Sequence, residues 1–214
     1  MGEIYGFLAL GGPVMIPIAL GSVVALAIFL ERLWSLQAGT VLPAGLLERV
    51  EEAIGNGKPD EALAACRERP SPFGRIVEMA LSRRDETREQ IKARLEDQGR
   101  FEVARLDRYV EAVGTIAAIE PLLGLLGTVT GMIKVFQEVV ATSEHGAIDP
   151  GRLANGIWEA LITTAAGLIV AIPAFVAYRY LQSRAQRLTL RMEDGALRVV
   201  DGLKSGPHAA AGPS

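Results

Sequence analysis

Three long stretches of this chain are apolar, and each is separated from the next by segments rich in charge. Between Glu3 and Glu31 no side chain is charged at pH 7, and the run from Val14 to Leu30 is almost wholly apolar. A second stretch, Ala112 to Ile133, is interrupted only by Glu120, and a third, Leu153 to Tyr178, only by Glu159. Roughly 20 helical residues at about 1.5 Å each cross a hydrocarbon core of about 30 Å. The pattern predicts transmembrane helices at 13–34, 111–136 and 153–179. Three buried helices of a soluble core are the competing reading, and three such runs in 214 residues disfavour it. The first run also exceeds the usual core of a cleaved signal peptide and has Glu3 but no Lys or Arg before it. It is expected to stay as a membrane helix, with Trp34 at an interfacial position.

The basic residues set an expected orientation. Residues 31–108 hold fourteen of them and the tail from Arg179 onward holds six, whereas the connection between the second and third spans holds only Lys134 and Arg152. The positive-inside rule places residues 1–12 outside, 35–110 inside, 137–152 outside and the C-terminus inside.

The inner segment reads as helical. Leu46, Leu47, Val50, Ala53 and Ile54 share one helical face, which Gly55-Asn56-Gly57 ends. Pro59 suits the first turn of a short helix carrying Leu63 and Cys66, which stops before Pro70 and Pro72. Ile76, Val77, Ala80 and Leu81 begin another stripe, and Thr87 to Gln90 has capping-box spacing. With no strong breaker before Pro121, one helix is expected from about 88 to 139, on the order of 75 Å long. The mixed Arg and Glu of 83–108 read as a solvated face. Residues 180–204, with Leu181, Leu188, Met192 and Leu197 among charges, extend the third span into the cytoplasm, and 205–214 read as a disordered tail. The fold class is an all-α integral membrane protein with a cytoplasmic helical bundle.

Composition narrows the function. A net charge of −3 gives no basic face for nucleic acid, and one cysteine excludes a disulfide framework or a multi-cysteine metal site. No span contains a His, and no second acid stands beside Glu159 in its span. No dyad, nucleophile–base pair, cofactor site or metal site is evident, which argues against an intramembrane hydrolase.

An ionisable group inside a span costs about 2.5–3.5 kcal/mol on insertion scales and usually faces protein or an aqueous path. Glu159 has the more suggestive surroundings, Glu159-Ala-Leu-Ile-Thr-Thr-Ala-Ala-Gly167. Thr163 lies about 40° from it around the helix and Thr164 about 140° away, so one threonine can line a path while the other packs. On the second span Gly124, Gly127 and Gly131 surround Thr128 and Thr130, and a small-residue stripe of this kind usually serves helix packing. A lone carboxyl with hydroxyls nearby can load and release a proton. The alternative, a static pair between Glu159 and a basic group of a neighbouring helix, stays open on these residues alone.

Gly124-Leu-Leu-Gly-Thr-Val-Thr-Gly-Met132 and Glu159-Ala-Leu-Ile-Thr-Thr-Ala-Ala-Gly-Leu-Ile-Val-Ala-Ile-Pro-Ala174 resemble the MotA/TolQ/ExbB proton-channel family, more closely its ExbB/TolQ branch. Leu30-Glu-Arg-Leu-Trp34 is similar to the end of that branch's first span. The resemblance implies a pentameric ring in the bacterial inner membrane, with a periplasmic N-terminus and a pore lined by the second and third spans. An ExbD- or TolR-like single-span partner carrying an essential aspartate would sit inside, with a TonB- or TolA-like protein beyond it. By motif position Glu159 matches the family's transmembrane glutamate, Thr128 and Thr164 its pore-facing threonines, and Pro173 the third-span proline. Gly124, Gly127, Gly131 and Gly167 are expected in helix packing. Thr163 has no such match, and Glu120 stands where a small residue is expected, so both are candidates for the pore or an interface. Glu120 could also snorkel or meet a lipid headgroup.

The function so implied is a proton-channel subunit of a motor that energises TonB-dependent outer-membrane transport. A TolQ-like role in Tol–Pal envelope maintenance and a passive membrane scaffold are the alternatives. A flagellar stator of the MotA type is disfavoured, because that branch has four spans.

Overall fold

The computed structural model describes residues 11–143 and 150–205, all helical apart from short turns. Most of the outer N-terminus, most of the loop between the second and third spans, and nearly all of the tail lie outside the described residues. The helices are α1 (Met15–Ser35), α2 (Ala38–Val41), α3 (Leu46–Gly55), α4 (Pro59–Glu68), α5 (Pro72–Ser82), α6 (Arg88–Asp107), α7 (Val110–Ser143) and α8 (Pro150–Ser205). Three of them, α1, α7 and α8, are long and apolar enough to cross a membrane. The chain divides into two units. One holds the residues up to Leu30 and Tyr109–Tyr180; the other holds Glu31–Arg108 and everything from Leu181 onward.

The first unit packs on small residues. Met15 and Ile18 of α1 meet Ala166 of α8, with Val14, Leu123 and Val170 around them. Further along, Ala25, Ala117 and Ala174 bring α1, α7 and α8 together. The large apolar side chains point the other way: Ile16, Leu122, Ile169 and Phe175 are all exposed. Small residues inside and large ones outside is the packing of helices in lipid, where close backbone approach replaces the hydrophobic drive. Both α7 and α8 run through an internal proline, Pro121 and Pro173 respectively.

The second unit has an ordinary apolar core. The face of α3 buries Leu46, Val50, Ala53 and Ile54, and the helix ends at Asn56 and at Gly57, whose φ of +71° favours glycine. Helix α4 starts on Pro59 and buries Ala62, Ala65 and Cys66, leaving Leu63 only half-buried. Ile76, Val77, Ala80 and Leu81 of α5 are all buried. Thr87 caps α6 in a full capping box with Gln90. From α8, Leu181, Leu188 and Met192 are buried, and Phe73 packs so tightly on Gly195 that a Cβ there would lie 2.9 Å from its ring. Ion pairs Arg198–Glu51 and Arg88–Asp201 fasten α8 at the rim.

Two expectations need correction. The single helix expected over 88–139 is two, because a turn at Arg108–Tyr109 separates α6 from α7. Arg108 keeps near-helical backbone angles (φ −45°, ψ −44°), and neither proline nor glycine marks the turn, so no breaker signalled it. The solvated face read over 83–108 also conceals one buried acid. Glu102 is 2% exposed and receives two hydrogen bonds from Arg75, at 2.7 and 2.5 Å. A buried carboxylate needs such a partner, and the fork of arginine supplies it.

Candidate functional site

The seam between α7 and α8 is built by spacing. On α7, Val113, Ala117, Glu120, Gly124, Gly127, Gly131 and Val135 follow at steps of three and four, and all are buried. On α8, Ala160, Thr163, Gly167, Ala171 and Ala174 do the same. The two backbones approach closely. A Cβ at Gly131 would stand 2.9 Å from that of Ala160, one at Gly167 would lie 2.6 Å from the Glu120 carbonyl oxygen, and one at Gly127 would run into the Thr163 side chain.

The hydroxyls are distributed around this seam. Thr163 is 1% exposed and donates to the Ala160 carbonyl at 2.8 Å. Thr164 is half-buried and donates across the seam to the Gly124 carbonyl at 2.9 Å. Thr128, also half-buried, donates to Leu125 of its own helix at 2.6 Å. Each hydroxyl thus satisfies a carbonyl and keeps its lone pairs available as acceptors.

Glu159 stands near the start of α8, one turn before Thr163. Its Oε1 lies 2.5 Å from the Nζ of Lys134, an ion pair across α7 and α8. The Glu159 side chain is 23% exposed and that of Lys134 is 51% exposed. Gly12, just before α1, closes the carboxylate from a third side, since a Cβ there would collide with Oε1 and lie 3.6 Å from the ammonium nitrogen. Its φ of +66° also favours glycine.

Glu120 occupies a different place. It is 2% exposed, set between α7 and α1, where a Cβ on Gly21 would strike its Oε1. Its Oε2 is buried with no hydrogen-bond partner among the described residues. In the single chain Glu120 is buried away from the surface.

The structure therefore brings Glu159 and Thr163 together on α8, sets Thr164 on the packing seam, turns the Thr128 hydroxyl to its own helix, and places Glu120 against α1. Lys134 and Gly12 were not singled out from the sequence for this site. The signal was available for Lys134, the one Lys or Arg between Arg108 and Arg152. A lone base and a lone acid on consecutive spans are natural partners. Among the described residues, no group of three or more His, Cys, Asp or Glu is placed to hold a metal ion.

A three-span, all-helical membrane protein with the Lys134–Glu159 ion pair between two of its long helices is the class this geometry defines. Residues 68–194 match the family described as the MotA/TolQ/ExbB proton channel family, and the chain belongs to it. It is 35% identical over 173 residues to ExbB-like 1, a biopolymer transport protein homologue of Synechocystis, covering 81% of this chain and 68% of that one. It is 30% identical over 162 residues to ExbB-like 3 of the same organism, covering 76% and 77%. To the biopolymer transport protein exbB1 of Vibrio cholerae it is 47% identical over 78 residues, 36% of this chain and 33% of the other. The chain is thus an ExbB-like membrane transport protein of a non-enzymatic family.

Proposed function

We propose that this chain is the proton-pathway subunit of a motor driven by the proton-motive force, assembled as a homopentamer around the helix of an ExbD- or TolR-like partner. Protons enter from the outer side and pass by Glu159, Thr128 and Thr164, with the N-terminus periplasmic and the C-terminus cytoplasmic. Moving one charge through 100 mV releases about 2.3 kcal/mol, so a few protons per step can rotate or displace the inner helices. A TonB-like protein then carries the work to outer-membrane transport; in a TolQ-like assembly, a TolA-like protein carries it to the envelope. The single observation that carries the reading is the Glu159 carboxylate, an acid within an apolar span beside Thr163 and only partly enclosed by protein.

The Lys134–Glu159 pair favours a second reading, a passive scaffold in which Glu159 serves only as an anchor. Transport in cells separates the two. Glu159→Ala should abolish the energised phenotype while the ring still assembles. Full transport activity in that variant would overturn the proposal.

A further inference from the structure

We infer that Lys134 is a positioning residue for Glu159: its ammonium latches the carboxylate across α7 and α8, and the relay works by opening that latch. The inference rests on the relay reading and adds a resident gate to it.

Three observations carry it. Lys134 Nζ and Glu159 Oε1 form an ion pair that joins α7 to α8. The carboxylate is closed on the side of Gly12, where even a methyl group would collide with Oε1. The lysine is the more exposed member, 51% against 23%, so the cation rather than the acid has room to leave. Within a span, two charges offset each other's insertion cost only while they are paired. A pair with one exposed member is a closed state that an incoming group can exchange. Lysine suits this role, because its charge sits on a flexible four-carbon stem, whereas an arginine fork would grip the carboxylate with two parallel hydrogen bonds.

The test uses the full chain with its single-span partner in vesicles and measures addition of dicyclohexylcarbodiimide to the Glu159 carboxyl, read by mass spectrometry as the acylurea adduct. The carboxyl oxygen adds to the carbodiimide carbon as its proton passes to a carbodiimide nitrogen, and a carboxylate held by an ammonium does so poorly. Lys134→Gln should raise the labelling rate several-fold over wild type, and Lys134→Arg should lower it while slowing proton flux. Labelling of Lys134→Gln at the wild-type rate would overturn the inference. If Lys134→Gln is not recovered as a ring, Lys134→Arg carries the test alone, and unchanged labelling and flux there would overturn it. Glu159→Gln, measured for flux in the same vesicles, reports on the relay itself, so failure of the latch and failure of the relay give different results.

Discussion

The hydroxyl of Thr164 donates to the carbonyl of Gly124 at 2.9 Å, a hydrogen bond that ties α8 to α7 forty residues away in sequence. Interhelical hydrogen bonds of this kind in membranes contribute about 0.6 kcal/mol on average and reach about 1.7. Thr164→Val should therefore lower the stability of the detergent-solubilised chain within that range, and Thr164→Ser should not. Thermal unfolding of the two variants checks this. Equal melting temperatures would show that the bond adds nothing to the seam.

Glycines in the two units should respond in opposite directions to the same substitution. A Cβ on Gly167 would lie 2.6 Å from the Glu120 carbonyl and 3.1 Å from the Gly124 Cα, backbone atoms that a rotamer change cannot clear. Gly167→Ala should cost about 1–3 kcal/mol, as overpacking does. Gly99, within α6, has no atom within 4 Å of its would-be Cβ. Gly99→Ala should stabilise its unit by about 0.5–1 kcal/mol through the lower backbone entropy of alanine. Denaturation curves of both variants would separate the two effects.

Cys66 supplies the pH dependence. Burial, and then the charge of Glu78, push its thiol from an ordinary 9.0 up to about 11. The folded state therefore favours the neutral thiol. The stability this gives is fully present below pH 9.0 and is lost as pH rises toward about 11. Stability of the wild type should fall more steeply over that interval than stability of Cys66→Ala. Alkylation of Cys66 at pH 8.5 should be much slower in the folded chain than in urea.

The parts that were legible in the sequence are those written in local chemistry. Glycine and proline marked the ends of α3 and α4, the Thr87–Gln90 spacing marked the start of α6, and missing charge marked the three apolar helices. The turn at Arg108–Tyr109 escaped because it involves neither residue type that breaks helices. Glu102 escaped because its partner, Arg75, lies 27 residues away on another helix. Glu120 is more instructive. Its place in the step of three and four that runs through Gly124, Gly127 and Gly131 puts it on the buried stripe, yet only the fold shows Gly21 of α1 making room for it. The family motifs point to Glu159 and to the threonines, whereas nothing local in the sequence ties Lys134 to Glu159, which is 25 residues away on the next helix.

The claim on which the rest depends is that Glu159 exchanges protons rather than anchoring a helix. Vesicles holding the chain and its single-span partner, with an imposed membrane potential and an internal pH dye, measure this directly. The wild type should acidify the interior, and Glu159→Gln, of nearly the same size and shape, should match empty vesicles while the ring remains intact. Wild-type flux in Glu159→Gln would contradict the account.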